Sequence, residues 1–510
     1  MSDDTTRPGH ARREGLLHLG RDGHEVGASV PKLATGIPGF DHVCMGGLPA
    51  RRATVVAGQA GSAKTVFGGQ FLAEGVRAGQ PGVFVTLEEP AADLRANLRT
   101  LGFDVDGWEK AGDWRFVDAS PLATASGAAP YSLETLTAQI GHAVDATGAE
   151  RLVLDSLNGV LGLHAEPAAA RQLLRQLIAN LRAMGLTVVL TVETPGDPGG
   201  TLSRYGIEEF VADNVVLLRN VREQAFRRRT VEVLKMRGAM HHKGDVPFTV
   251  LPGQGIVVLP VGAPEQDPTT LDQRVSTGNE GVDRLAHGGL VRGSSTLVSG
   301  PTGTGKTLLA LQFAADGAAR GERVLLMAYE ETRQQMHRMG TSWGHDLQAY
   351  EDQGLLRIVP LYPEVASLDD HLVEIRHLVE RFEPTRLVVD SLSALERLGS
   401  PESYRGFVIG LTSYVKQIGL ASMMTAAAPH LVGGTSVTES HISGLIDAIV
   451  VLRYVEVDSA LKRGILVLKM RGSSHEQQIC ELTINEGSMT VGEPFRGLGG
   501  ILTGQAVPRA

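Results

Sequence analysis

Gly300-Pro-Thr-Gly-Thr-Gly-Lys306-Thr307 decides the fold. It satisfies G-x-x-x-x-G-K-[ST], it follows the apolar run Thr296-Leu-Val-Ser299, and it opens the helical pattern Leu308 to Arg320. A strand, a glycine loop and a helix in that order form a phosphate cradle. Glycines let backbone N–H groups close around phosphates, the helix N-terminus adds partial positive charge, and the lysine reaches the terminal phosphates. Thr302, Gly303, Thr304, Gly305, Lys306, Thr307 and Leu308 are therefore candidate nucleotide-binding residues, with Thr307 able to ligate Mg²⁺.

The same pattern occurs 242 residues earlier as Gly58-Gln-Ala-Gly-Ser-Ala63-Lys64-Thr65, where Gly61, Ser62, Lys64 and Thr65 take the corresponding parts. Ala63 replaces the last glycine, at a cost of about 1–2 kcal/mol if the backbone there has positive φ. A lobe kept only for structure is the alternative, and intact Lys64 and Thr65 argue against it. Thr35-Gly-Ile-Pro-Gly-Phe-Asp41 likewise returns as Thr277-Gly-Asn-Glu-Gly-Val-Asp283, and Lys235-Met-Arg-Gly238 as Lys469-Met-Arg-Gly472. The chain is a tandem duplication. Short β-branched runs alternate with helical patterns in each copy, which predicts an α/β class with mostly parallel sheets flanked by helices. The expected organisation is a tail over 1–28, a first domain over 29–260, a Pro-rich linker over 261–270, a second domain over 271–497 and a short tail over 498–510.

Each P-loop is followed by a second apolar run that leads into paired carboxylates, Glu88-Glu89 and Glu330-Glu331. Acids at the C-terminal ends of parallel strands face the nucleotide crevice, so one of each pair is a candidate base. A third run ends in Asp155 and again in Asp390, the form of a Walker B strand, and joins Thr65, Thr307 and Glu330 in the candidate Mg²⁺ set. Lysine is scarce, nine in 510 residues, and four of the nine are Lys64, Lys306, Lys235 and Lys469. Lys235 with Arg237, and Lys469 with Arg471, alternate to one strand face and could stabilise phosphate charge as fingers from a neighbouring subunit; a solvated basic strand edge is the alternative. Arg227-Arg-Arg229 reads as a solvated face, and His241-His242 lacks the partners of a metal centre.

The assembled motifs resemble the KaiC family of tandem RecA-like ATPases. The likeness runs from about Val30 to Gly504 and includes Phe84-Val-Thr-Leu-Glu-Glu89, Arg227-Arg-Arg-Thr-Val-Glu-Val-Leu-Lys-Met-Arg-Gly238 and Thr438-Glu-Ser-His-Ile-Ser443. The resemblance implies ATP and Mg²⁺ as cofactors and a homohexamer of two stacked rings, the first a slow ATPase and the second an autokinase that also reverses its phosphorylation. By position, Glu330 becomes the general base of the second ring and Trp343 packs on the adenine. Lys469, Arg471 and Arg463 reach across from the neighbour, with Met470 and Ser473 completing that site. In the first ring Glu88 or Glu89 orients the attacking water, and Lys235, Arg237 and His241 come from the adjacent subunit.

The family's acceptor pair, adjacent Ser and Thr, reads Ser443-Gly444 here, with Thr438 nearby. One phosphoacceptor, Ser443, is expected in place of a two-site cycle. The chain stops soon after Gly504, short of the extension that KaiA grips, so KaiB-like or other signalling partners are expected and KaiA control is not. A signalling or stress-related output fits better than a complete oscillator. The alternatives are a RecA-like nucleic-acid motor and an ATP-gated scaffold. Against the motor stands a net charge of −9, from 48 basic and 57 acidic residues, with no basic-aromatic surface. Two cysteines without metal spacing and no apolar run of membrane length point to a cytoplasmic protein.

Overall fold

The computed structural model describes residues 30–119, 133–161, 167–194, 211–259, 273–428, 442–457, 460–496, 498–499 and 507–508. The expected tail over 1–28 and linker over 261–270, and Thr438, lie outside the described residues.

Two nine-stranded sheets repeat one topology. In the first, Trp114–Asp118, Gly82–Thr86, Arg151–Asp155, Thr187–Glu193, Ala53–Gly58 and Asn214–Glu223 lie side by side and parallel. Phe226–Met236, Val246–Leu251 and Gly255–Val258 extend that sheet antiparallel. In the second, Leu356–Pro360, Val324–Ala328, Arg386–Asp390, Ala421–Ala427, Ser295–Gly300 and Ala448–Val457 run parallel, followed antiparallel by Ala460–Met470, Cys480–Asn485 and Ser488–Pro494. The central strands are mostly apolar and almost wholly buried because both of their faces are covered. Val55 and Ala57 pack into one cluster with Leu174 and Leu177, while Val56 packs into the opposite one with Phe67 and Phe71.

Sheet order places function. The helices Lys64–Arg77 and Lys306–Ala319 start where the strands Ala53–Gly58 and Ser295–Gly300 stop. Both P-loops therefore leave the C-terminal edge of a parallel sheet, where crevices form.

A hairpin ties the halves together. Glu223, at the tip between Asn214–Glu223 and Phe226–Met236, accepts from Ser400 N at 2.8 Å and Ser403 Oγ at 2.6 Å. Arg228 donates to Asp369 at 3.1 Å and to Ser403 Oγ at 2.8 Å. Arg227-Arg-Arg229 is thus no simple solvated face: Arg228 bridges the two lobes and Arg229 turns to the first P-loop, donating to Gly61 O at 3.5 Å. Tertiary pairing across the lobes, which no local pattern encodes, overrides the charge-run reading. No described helix is long and apolar enough to cross a membrane.

Candidate functional site

Both P-loops take the conformation a phosphate cradle needs. Gly303 and Gly305 have φ of 79° and 102°, and Gly61 has 73°. Ala63 is forced to φ 71° in the left-handed region, the situation in which its Cβ carries a penalty. Ala63→Gly is expected to stabilise the first lobe by about 0.5–1 kcal/mol, the relief of αL strain less the entropy a glycine adds to the unfolded chain. Denaturant titration measures it, and a tighter fit for nucleotide should accompany it.

The lysines fold back on their own loops. Lys64 Nζ donates to Gly58 O at 2.8 Å and Gln59 O at 2.9 Å, and Lys306 Nζ to Pro301 O at 3.0 Å. Those backbone acceptors hold each ammonium at the mouth of its cleft. Burial lowers both lysine pKa values, and surrounding carboxylates oppose the shift. The first cleft, about 210 Å³, is lined by Gly61, Lys64, Thr65, Glu88, Glu89, Asp155, Ser156 and Glu193. The second, about 330 Å³, is lined by Thr302, Gly303, Gly305, Lys306, Thr307, Leu308, Glu330, Glu331, Asp390 and Ser391. Ser62 and Thr304 are buried beneath the loops, Thr304 Oγ1 bonding Pro301 O at 2.7 Å.

The acids meet where the sheet order brings three strand ends together. Thr65 Oγ1 donates to Asp155 Oδ2 at 2.6 Å; burial raises the Asp390 carboxyl, and the neighbouring hydroxyls of Thr425 and Thr307 oppose that rise. Thr191 and Thr425, from the intervening strands, hold Oδ1 of each aspartate. Both aspartates are followed by a cis peptide bond to serine. The strands Gly82–Thr86 and Val324–Ala328 end two residues before the paired glutamates. Leu87 N and Tyr329 N then bond to the carbonyls of Asp155 and Asp390, so the glutamates sit on the turn beyond the strand. Glu88 accepts from Ser156 Oγ at 2.5 Å. Burial, aided by the charges of Asp390 and Glu330, pushes Glu331 up to about 7. Burial also raises Glu89, with Asp155 next in effect. Asp390 Oδ2 and Glu331 Oε2 are buried without hydrogen-bond partners. Orphaned carboxylate oxygens beside a threonine hydroxyl suit a hard cation and its waters.

The cationic pairs lie elsewhere. Lys469 pairs with Ile449 on the adjacent strand, and Arg471 N bonds Asp447 O, whose own N bonds Ser295 O. That is the N-terminal edge of the strand whose far end carries the P-loop, roughly 16 Å away at about 3.3 Å per residue. There Lys469 Nζ donates to Ser443 O at 2.9 Å and Ile446 O at 2.7 Å, and Arg471 to Gly444 O at 2.5 Å. Ser443 stands in the turn Ile442–Gly444 beside them. Arg274 holds Met470 Sδ at 3.4 Å and also bonds Ser473, so both belong to this edge. In the first lobe Lys235 donates to Ala212 O at 2.8 Å and Arg237 approaches Asp213 at 3.9 Å. Arg237 and Arg471 fall just past the strand ends at Met236 and Met470, and each reaches the same segment as its lysine. His241 keeps Nδ1 buried without a partner, and His242 stacks on His42 at 5.1 Å.

Arg463 differs from its companions. Its Nε donates to Gly303 O of its own P-loop at 3.2 Å, and its guanidinium lies 5.7 Å from the Tyr454 ring. Asn220 and Arg229 grip Gly61 O from the equivalent strand pair. Trp343 packs at the end of the helix Arg333–Ser342 against the core and does not line the cleft.

Comparison with known proteins accounts for the duplication. The family described as "ATPase: KaiC" matches residues 33–263 and again 275–495. The chain belongs to the KaiC family. It is 48% identical over 479 residues to the "Circadian clock protein KaiC3" of Synechocystis sp., covering 93% of this chain and 94% of that one. It is 41% identical over 477 residues to the "Circadian clock oscillator protein KaiC" of Prochlorococcus marinus, covering 93% and 95%. With the protein of the same description from Thermosynechococcus vestitus it shares 40% over 489 residues, 96% and 94% of the two chains. Both duplicated clefts are therefore those of a KaiC-family ATPase, and nucleotide binding comes with that membership. Sequence reasoning overlooked Ser156, Thr191, Thr425 and Glu193 among the residues around them. Each of the last three lies on a strand next to a Walker strand, a placement visible only once the sheet order is known.

Proposed function

We propose that this chain hydrolyses ATP in both lobes and, in the second, transfers the terminal phosphoryl group to Ser443 of a neighbouring copy, a step that also runs in reverse. The observation that carries this reading is the distance between the two functional ends of each sheet. Lys469, Arg471 and Ser443 gather at the N-terminal edge, while Lys306, Glu330 and Asp390 gather at the C-terminal one. Cations and acceptor can meet a triphosphate only on another subunit, as in a finger supplied in trans. A ring of six copies in two tiers, the assembly the family resemblance implies, offers such a neighbour at every site.

In this reading Lys306 and the P-loop amides bind the phosphates, and Lys469 and Arg471 from the neighbour offset the charge that develops on the transferred group. Glu330 takes the proton of the Ser443 hydroxyl as that oxygen attacks; in the first lobe Glu88 or Glu89 orients water, with Lys235, Arg237 and His241 contributed in trans. Mg²⁺, held by Thr307 and Asp390 or by Thr65 and Asp155, with Glu330 nearby, supplies charge neutralisation at the phosphates when bound. Arg463 braces the P-loop of its own cleft through Gly303, and Met470 and Ser473 join Lys469 and Arg471 on the edge that the neighbour presents. One acceptor in place of two makes a single-charge switch suited to a circadian-clock-type or signalling output through KaiB-like or other protein partners in the cytoplasm; the clock names of the relatives support the first of these roles.

Site-resolved phosphopeptide mass spectrometry after incubation with Mg·ATP tests the reading. Phosphate is expected on Ser443, formed about 100-fold more slowly in Glu330→Gln. Steady ATP consumption with no phosphate on Ser443 would remove the kinase and leave a two-ring ATPase. Stimulation of turnover by nucleic acid would favour a motor instead.

A further inference from the structure

The two clefts differ by one carboxylate that the catalytic assignment does not use. Glu193 ends the strand Thr187–Glu193, where it pairs in register with Gly58, the first residue of the P-loop. It is exposed and lines the first cleft with Lys64, Glu88, Glu89 and Asp155. The corresponding position in the second lobe, paired with Gly300, is Ala427. Four acids thus face one lysine in the first cleft, against Glu330, Glu331 and Asp390 in the second. Glu193 therefore shares the cleft with the ammonium that would meet the terminal phosphates.

We propose that Glu193 is a selectivity residue that biases the first cleft toward a nucleoside diphosphate over a triphosphate, while Ala427 leaves the second cleft without that bias. The inference rests on the nucleotide-binding reading of the first P-loop. A fixed negative charge beside Lys64 opposes the added charge of a third phosphate more than it opposes the first two, because Coulomb repulsion falls with distance and is screened by the open cleft. The consequence is a first site whose preference for a triphosphate over a diphosphate is smaller than that of the second.

The test is competition binding on the full chain, using a fluorescent diphosphate displaced by ADP or by a non-hydrolysable ATP analogue. Lys306→Ala silences the second cleft while the first is measured, and Lys64→Ala silences the first while the second is measured. Glu193→Gln should tighten the ATP analogue about five-fold and ADP less than two-fold, raising the ratio of the two affinities. Ala427→Glu should lower that ratio in the second cleft by a similar factor. An unchanged ratio in both variants, while Lys64→Ala still abolishes binding in the first cleft, overturns the proposal and leaves the P-loop reading intact. Binding in the first cleft that survives Lys64→Ala would overturn both.

Discussion

Replacing Arg386 with alanine is expected to cost the second lobe about 3–5 kcal/mol, the range for leaving buried charge uncompensated. Arg386 is 1% exposed and opens the Walker B strand. Its guanidinium donates to Glu322 Oε1 at 2.7 Å and Oε2 at 3.1 Å, to Asp316 at 3.2 Å, and to the carbonyls of Ser276 at 2.9 Å and Phe313 at 3.0 Å. The ring of Phe313 lies 4.8 Å away. One cation thereby joins the entry segment, the P-loop helix and the Walker B strand. Gly317 makes room for it, because a Cβ there would stand 2.7 Å from the arginine stem. Burial works to raise the Glu322 carboxyl, but the hydrogen bonds and charge of Arg386, with help from Thr385, hold it below its ordinary range. Without Arg386 that carboxylate loses its cation. The first lobe provides the control: Arg151, equally buried, bonds the neutral Gln80 at 2.7 Å and the carbonyls of Ala34 and Phe71. Arg151→Ala leaves polar groups unpaired but no carboxylate bonded to the lost guanidinium, so its cost should be smaller, about 2–3 kcal/mol. Denaturant unfolding of the two variants, read lobe by lobe, compares them. Equal losses would mean that packing, and not charge, sets the cost.

Those arginines also mark where sequence reading stops. The Walker strands were legible because an apolar run ending in Asp occurs twice in step with two P-loops; Arg151 and Arg386, at the other ends of the same runs, look like ordinary strand-start residues. Their partners lie on the P-loop helix, in the turn that follows it and in the entry segment, and only tertiary packing brings these together. Glu193 is similar. The run Thr187-Val-Val-Leu-Thr-Val-Glu193 has the same apolar-to-acid form as the Walker strand, but nothing local says that it lies beside the P-loop strand. The penalty at Ala63 was readable in advance as a conditional, since glycine in the second copy already pointed to positive φ there. The position of Arg463 was not, because its contact with Gly303 depends on which face of a twisted hairpin meets the loop.

Lys306→Ala should weaken ATP binding in the second cleft by roughly 30- to 5,000-fold, equivalent to the 2–5 kcal/mol lost when one partner of a buried charge pair is truncated. Lys306 Nζ rests on Pro301 O at 3.0 Å, and Asp390, Glu330 and Glu331 support its charge against burial. Truncation removes the cation that would meet the phosphates. It also leaves three carboxylates facing an incoming polyanion, so binding loses an attraction and gains a repulsion. Lys306→Arg should recover only part of the affinity, since a planar fork cannot take the place of a compact ammonium folded under the loop. Titration with a fluorescent ATP analogue, with Lys64→Ala silencing the first cleft, reads the effect directly. The fold should survive, because the Lys306 side chain is only half-buried and the helix Lys306–Ala319 is anchored by Leu309, Phe313 and Ala314 in the core. If Lys306→Ala bound ATP within three-fold of the parent while Asp390→Asn did not, the nucleotide's anchor would be the aspartate and its cation, and the lysine would serve only to close the empty loop.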